Sequence, residues 1–239
     1  MKSISFVIPT YNSGKTIGRC LKAIKELKAI KREIIIVDAG SADNTIGVAS
    51  KYADSIIRTG PCGISKARNV GWRSAKYNNI FFLDSDIILN KRCFRKILKE
   101  IGKYDVLIPG DVDSLIGLDR KNFQIPRDFM VVKKYVLERI KGYSEIFPPW
   151  LASEDVDMLL RTLKSKFRCR CVECDYVELG AGKRGGKKTL KYWAGGIFMN
   201  LKNIDTVVAK QWLIRKMLGI TLFEYVKKTI KRYLKRTKS

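Results

Sequence analysis

The chain has 239 residues, of which 46% are hydrophobic and 30% charged, and carries a formal net charge of +25. That length supports one large domain or a domain with an appendage, and the charge favours polyanionic partners such as nucleic acid, anionic headgroups or phosphorylated substrates. No histidine is present, which excludes Ser-His-Asp and Cys-His catalysis, histidine-ligated zinc and imidazole bases; a general base must be a carboxylate or, failing that, Lys, Tyr or Cys.

In chain order, Ile4–Pro9 reads as a short buried strand, followed by the polar turn Thr10-Tyr11-Asn12-Ser13-Gly14. Apolar residues Ile17, Leu21, Ile24 and Leu27 then recur at helical spacing over Thr16–Leu27. Glu33–Val37 reads as a fully buried strand, Asp38–Asn44 as a turn, and the helix after it runs to about Ala53. Ser55–Arg58 is a short strand, Ile64–Ala75 a helix, Ile80–Leu83 a strand and Cys93–Ile101 a helix. This alternation predicts an α/β fold with a mostly parallel sheet flanked by helices. Ligands of such sheets bind beyond the carboxyl ends of the strands, where Pro9-Thr10-Tyr11, Asp38 and Asp84 all fall.

Beyond Tyr104 the pattern loosens. Strands are expected at Asp105–Pro109, Phe129–Val132 and Arg170–Val177, with an amphipathic helix at Glu154–Leu163. A Gly- and Lys-rich loop, Gly180–Lys188, precedes a basic segment in which Val208, Trp212, Leu218, Leu222, Val226, Ile230 and Leu234 keep helical spacing. The expected division is a domain over 1–200, split at about 110 into a nucleotide half and an acceptor half, and a basic amphipathic helical tail over 201–239. No apolar run is long enough for a spanning helix. Met1-Lys2-Ser3 leads straight into a strand with no secretory h-region. A cytoplasmic protein is therefore expected, with its six cysteines as thiols. Cys169, Cys171 and Cys174 form a C-x-C-x-x-C cluster, but with no second pair at zinc-finger spacing it reads as structural.

The chemistry-bearing feature is Asp84-Ser85-Asp86, which follows the apolar run Ile80–Leu83. Two acids one residue apart at a strand end have a rigid mount and suit a hard divalent ion, which in turn can hold a diphosphate. The bland reading is a pair of turn acids before the next helix.

Five ordered motifs raise D-x-D above chance. They are Val7-Ile8-Pro9-Thr10-Tyr11-Asn12; Val37-Asp38-Ala39-Gly40-Ser41-Ala42-Asp43-Asn44-Thr45; Ala67-Arg68-Asn69-Val70-Gly71; Leu83-Asp84-Ser85-Asp86; and Gly142-Tyr143-Ser144-Glu145 followed by Ser153-Glu154-Asp155-Val156-Asp157-Met158. Together they resemble glycosyltransferase family 2, the inverting nucleotide-sugar transferases of the GT-A (Rossmann-like) fold.

The resemblance implies a division of labour. Pro9, Thr10, Tyr11, Asp38, Arg68, Asp84 and Asp86 would bind the donor, a UDP-sugar or GDP-sugar, with Tyr11 stacking on the base. Asp86, with Asp84, would hold Mg2+ or Mn2+. Asp155 would take the proton from the acceptor hydroxyl, with Glu154 orienting or assisting, in one inverting displacement. Trp150, Lys183 and Arg184 are acceptor-side candidates, the two basic residues standing in for a histidine that many relatives carry downstream. Ser41 and Asp43 fit helix N-caps as well as ligands. Asn69 and Gly71 read as packing, and Asp157 as a helical pair with Arg161.

Ala39 stands where the family often has a second acid, and the Q-x-x-R-W signature of processive synthases is absent. A non-processive transferase is expected, its acceptor a glycan or lipid-linked glycan. The basic tail would place it at the cytoplasmic face of an anionic membrane. Two alternatives remain: a catalytically silent sugar-nucleotide-binding relative and a basic nucleic-acid-binding protein. The second lacks a binding motif, and no specific nucleic acid is expected. A sugar-nucleotide pyrophosphorylase would need a Gly-rich basic loop after the first strand, which residues 9–14 do not supply.

Overall fold

The computed structural model describes residues 2–28, 30–109, 129–145, 154–174 and 176–179. In chain order its elements are β1 (Lys2–Thr10), α1 (Ile17–Lys25), β2 (Ile30–Asp38), α2 (Thr45–Ala49), β3 (Ser55–Arg58), α3 (Ile64–Ser74), β4 (Asn79–Leu83), β5 (Ile87–Leu89), α4 (Lys91–Glu100), β6 (Val106–Pro109), β7 (Phe129–Lys133), α5 (Lys134–Ile140), α6 (Glu154–Lys164), β8 (Cys169–Val172) and β9 (Tyr176–Glu178). A seven-stranded sheet has the order β3-β2-β1-β4-β7-β6-β8, and β5 pairs with β9 in a second, two-stranded sheet. β1 to β4 run parallel, as do β6 and β8, and β7 alone runs antiparallel to both of its neighbours.

Strand alternation sends side chains to two cores. Ile4, Phe6 and Ile8 of β1 join Ile34 and Ile36 of β2 beneath α1 and α4. Val7, Ile35 and Val37 join Ile80 and Phe82 on the opposite face, under α3, α5 and α6. Because the sheet is covered on both faces, its central strands read as unbroken apolar runs rather than alternating ones. β1 lies between β2 and β4, which places the switch in strand order at its carboxyl end.

Three expectations change. The run expected as one strand over Arg170–Val177 is two, β8 and β9, in different sheets. The helix expected to reach Ala53 ends at Ala49, where Ser50 Oγ turns back onto Gly47 O at 3.1 Å. The cysteines are not all thiols: Cys93 at the start of α4 and Cys174 between β8 and β9 form a disulfide, with Cα atoms 4.8 Å apart. Cys169 and Cys171, two apart on β8, share the opposite core instead. The partner of Cys174 thus comes from 81 residues away, outside the local cluster.

Candidate active site

β1 and β2 end side by side, with Thr10 in register with Asp38. Thr10 Oγ1 donates to Asp38 Oδ1 at 3.3 Å, while Asp38 Oδ2 accepts from the backbone N–H groups of Gly40 (3.1 Å) and Ser41 (3.0 Å). The loops that follow are latched to each other by side chains. Asn12 N–H donates to Ser41 Oγ (2.9 Å), Ser13 N–H to Thr45 Oγ1 (2.7 Å) and Gly14 N–H to Asp43 Oδ2 (2.9 Å); Asn12 Oδ1 in return accepts from Ala42 N–H (2.9 Å). Ser41 serves the first loop, whereas Asp43 Oδ1 also accepts from the backbone N–H of Thr45 (3.0 Å), the first residue of α2, whose N-cap Asn44 makes no side-chain cap bond. The hydrogen bond from Thr45 and then that from Gly14 hold the Asp43 carboxyl below its usual pKa. Asn12 takes the left-handed conformation (φ 49°) that the tight turn requires. Tyr11, beside it, is 63% exposed, and Pro9 is half-buried just inside the strand end.

Asp84-Ser85-Asp86 links β4 to β5. Ser85 Oγ lies 2.8 Å from Ser13 Oγ, which ties this segment to the first loop. Asp86 O accepts from Leu179 N–H (2.9 Å), just beyond β9. Cys20 Sγ sits below, 3.7 Å from Asp84 O, its thiol pushed up by burial and then by the charges of Asp86 and Asp84.

Arg68 joins the motifs. Its Nη2 donates to Asp84 Oδ1 (3.1 Å), and its Nη1 to Asp155 Oδ1 (2.6 Å) and Glu154 Oε1 (3.4 Å). The side chains of Arg68, Glu154 and Asp155 are 3%, 8% and 6% exposed, against 32% for Asp84. Burial works against the guanidinium charge, but Asp155, then Tyr143, Asp84 and Glu154, outweigh it and hold the Arg68 pKa well above its usual value. Its Cζ stands 5.0 Å from the centroid of Tyr143, whose hydroxyl burial pushes well above the ordinary tyrosine range.

Local sequence explains this depth. A Cβ on Gly71 would meet Val7 Cγ1 at 2.2 Å, so glycine lets α3 lie close on β1. Asn69, 1% exposed, spends its amide on the Gly142–Glu145 turn and on Trp72. Its Nδ2 donates to Tyr143 O (2.8 Å) and Glu145 Oε1 (2.7 Å); its Oδ1 accepts from Tyr143 N–H (2.8 Å) and Trp72 Nε1–H (3.0 Å). Gly142 has φ +68°, and a Cβ there would meet Asn69 Oδ1 at 2.4 Å. Asp157 receives Arg161 at 2.8 Å, and Arg161 Nη1 donates to the carbonyls of Ile140 and Gly142 at the end of α5. Asp157 is thus a structural partner, and Asn69 and Gly71 pack as their positions suggest.

Of the sequence-predicted residues, Thr10 and Asp38 meet at the strand ends, and Arg68, Asp84, Glu154 and Asp155 meet in one cluster. Asp86 lies two residues beyond Asp84, across Ser85. Trp150, Lys183, Arg184 and the segment 201–239 lie outside the described residues. Sequence reasoning assigned no role to Ser13, Ser85 or the Tyr143 ring; only the place of Tyr143 inside the G-Y-S-E motif signalled it.

Asp84 and Asp86 offer oxygen donors suited to Mg2+ or Mn2+. Among the described residues no group of three or more His, Cys, Asp or Glu forms a complete metal cage. Mg2+ ordinarily takes only one or two carboxylates and completes its shell with water and substrate phosphate. Three carboxylates around the single guanidinium of Arg68 also leave the cluster with excess negative charge, which a cation would offset.

Comparison with known proteins identifies relatives and solved structures of the same fold. The poly(ribitol-phosphate) β-N-acetylglucosaminyltransferase TarP of Staphylococcus aureus is 32% identical over 123 residues, covering 44% of this chain and 38% of TarP. The chain spans less than half the length of that relative. Among solved structures, the mannosyltransferase PcManGT of Pyrobaculum calidifontis, in complex with GDP-Man and Mn2+, superposes with a TM-score of 0.70 at 17% identity, covering 98% of this chain and 74% of that one. S. aureus TarS 1-349 in complex with UDP-GlcNAc superposes with a TM-score of 0.62 at 20% identity, covering 86% and 68%. These likenesses establish the fold. The model of "Glycosyl transferase family 2" matches residues 5–145, from the first strand to the G-Y-S-E turn, and the chain belongs to that family.

Proposed function

We propose that the chain transfers a sugar from a nucleoside diphosphate sugar to an acceptor hydroxyl, by a single inverting displacement. The observation that carries this reading is the convergence on Arg68 of Asp84, from the donor motif, and Glu154-Asp155, from the acceptor motif. TarS in complex with UDP-GlcNAc and PcManGT with GDP-Man and Mn2+ support a nucleotide-sugar donor and a divalent ion.

Thr10, Tyr11 and Asp38 line the nucleotide end, where the exposed Tyr11 ring stacks on the base. Asp86 and Asp84 hold Mg2+ or Mn2+, which supplies Lewis-acid stabilisation of the departing diphosphate. Asp155 accepts the acceptor hydroxyl's proton, and Glu154 orients that hydroxyl. Buried at the first turn of α6 and held by Arg68, the Asp155 carboxylate is kept at a fixed position. Transfer is non-processive. The acceptor is a glycan or lipid-linked glycan, with Trp150, Lys183 and Arg184 on its side, and the basic segment 201–239 brings the enzyme to an anionic membrane surface.

The test is calorimetric titration with a panel of UDP- and GDP-sugars, with and without Mn2+. Metal-dependent discrimination among them is expected; binding of none, or equal retention of RNA, refutes the reading. Asp86→Ala should abolish metal-dependent donor binding. Asp155→Asn should keep donor binding and stop transfer, and full transfer by that variant overturns the assignment of the base.

A further inference from the structure

We propose that Arg68 is a positioning residue that sets the donor-side carboxylate Asp84 and the acceptor-side carboxylates Glu154 and Asp155 relative to one another, so that nucleotide binding and acceptor activation are aligned through one guanidinium. This rests on the transferase reading above.

The guanidinium is shared between the two sides. The two η nitrogens are divided between the sides: Nη2 serves Asp84, and Nη1 serves both Asp155 and Glu154. Consecutive residues on a helix diverge by about 100°, yet Glu154 and Asp155 both turn to Nη1. A planar fork fixes the direction of each hydrogen bond, whereas a lysine ammonium is a compact charge on a flexible stem. The fork itself is held from below. The Tyr143 ring lies 5.0 Å from Cζ, and Gly71, three residues on along the same helix face, lets α3 lie close on β1. Tyr143 is fixed in turn by Asn69, the next residue after Arg68. The A-R-N-x-G motif is thereby a single mounting, in which Asn69 secures the turn carrying Tyr143 and Arg68 reaches across it to both sets of acids.

A purely structural ion pair would join α3 to α6 and affect every property together. A positioning role predicts a split. The variant is Arg68→Lys, which keeps a positive charge and loses the fork. Binding is read by calorimetry with UDP and GDP, each with Mn2+. Turnover is read with the donor that the panel selects, and folding by circular dichroism. The expected result is nucleotide affinity within about 5-fold of wild type and turnover lowered about 100-fold, the scale of a misplacement of roughly 1 Å. Because Arg68 acts through the carboxylates, the loss should fall on kcat while the KM for the donor changes little. Unchanged turnover, a loss carried mainly by KM, or a loss of nucleotide affinity that matches the loss of turnover each overturn the proposal. If Arg68→Lys does not fold, Arg68→Gln replaces it in the same measurements; failure of both to fold makes Arg68 a determinant of the fold and also overturns the proposal. Failure of the transferase reading is distinct: the wild type itself would bind neither nucleotide with Mn2+.

Discussion

Replacing Asn69 by alanine tests how the A-R-N-x-G and G-Y-S-E motifs are joined. The substitution strips the partner from three buried neutral groups: the Tyr143 N–H, the Tyr143 carbonyl and the Trp72 indole N–H. Tyr143 is 2% exposed and Trp72 6%, so solvent does not readily replace the lost amide, whereas the exposed Glu145 carboxylate finds water. At about 1–3 kcal/mol for each unsatisfied buried group, and allowing for relaxation into the vacated volume, the loss should be about 3–5 kcal/mol. At about 2–4 °C per kcal/mol for a chain of this size, the melting temperature should fall by about 6–20 °C. Urea denaturation followed by circular dichroism at constant m-value measures it. Asn69→Asp keeps the acceptor for Trp72 and Tyr143 N–H but sets a buried carboxylate oxygen against the Tyr143 carbonyl and the Glu145 carboxylate, and should lose at least as much stability as alanine. A loss below about 1 kcal/mol for Asn69→Ala refutes the idea that this amide fastens the turn.

Tyr11→Ala should weaken nucleotide binding by about 1–3 kcal/mol, the range for an aromatic platform under a base, while leaving the melting temperature unchanged; an unaltered dissociation constant removes Tyr11 from the donor site. Burial pushes the Asp105 carboxyl up, but hydrogen bonds from the Tyr135 hydroxyl and from Arg168 outweigh it and hold it below its usual value. Its contribution to stability is therefore present at neutral pH and is lost as pH falls below the unfolded value of about 3.9 and through the lower folded one. Asp105→Asn should lose less stability than wild type between pH 5 and pH 3, and parallel acid curves count against this. Cys174→Ser should destabilise the oxidised protein by about 4 kcal/mol, as expected for a bridge across a long loop, and should match wild type treated with reductant. Removing residues 206–239 should weaken sedimentation with anionic liposomes and leave donor hydrolysis intact; equal sedimentation excludes the tail as anchor.

The first four strands of the sheet were readable because each is an apolar run bounded by turn residues, and their ends announced the site. Strand direction was not: nothing in Phe129–Val132 distinguishes β7, the antiparallel member, from its parallel neighbours. β5 escaped because Ile87-Ile88-Leu89 is three residues long and owes its pairing to Tyr176–Glu178, far along the chain. α5 follows β7 without a break, and its N-cap, Lys133, makes no side-chain cap bond, so no start signal existed. Glu173 and Cys174 lie between β8 and β9, which composition alone merges into one strand. At the site, the residue types and their order were legible from motifs. Their mutual contacts were not, since Arg68 meets partners 16, 86 and 87 residues away through long-range packing.

The latch between the first two loops bears on how such an enzyme can be re-engineered. Residues 12–14 are held by Ser41, Asp43 and Thr45, about thirty positions downstream. The first loop gives only backbone N–H groups to these three bonds, so a segment transplanted there keeps them while Ser41, Asp43 and Thr45 stay and position 12 retains an acceptor for Ala42 N–H. Exchanging 38–45 is the damaging move, because the acceptors leave with it.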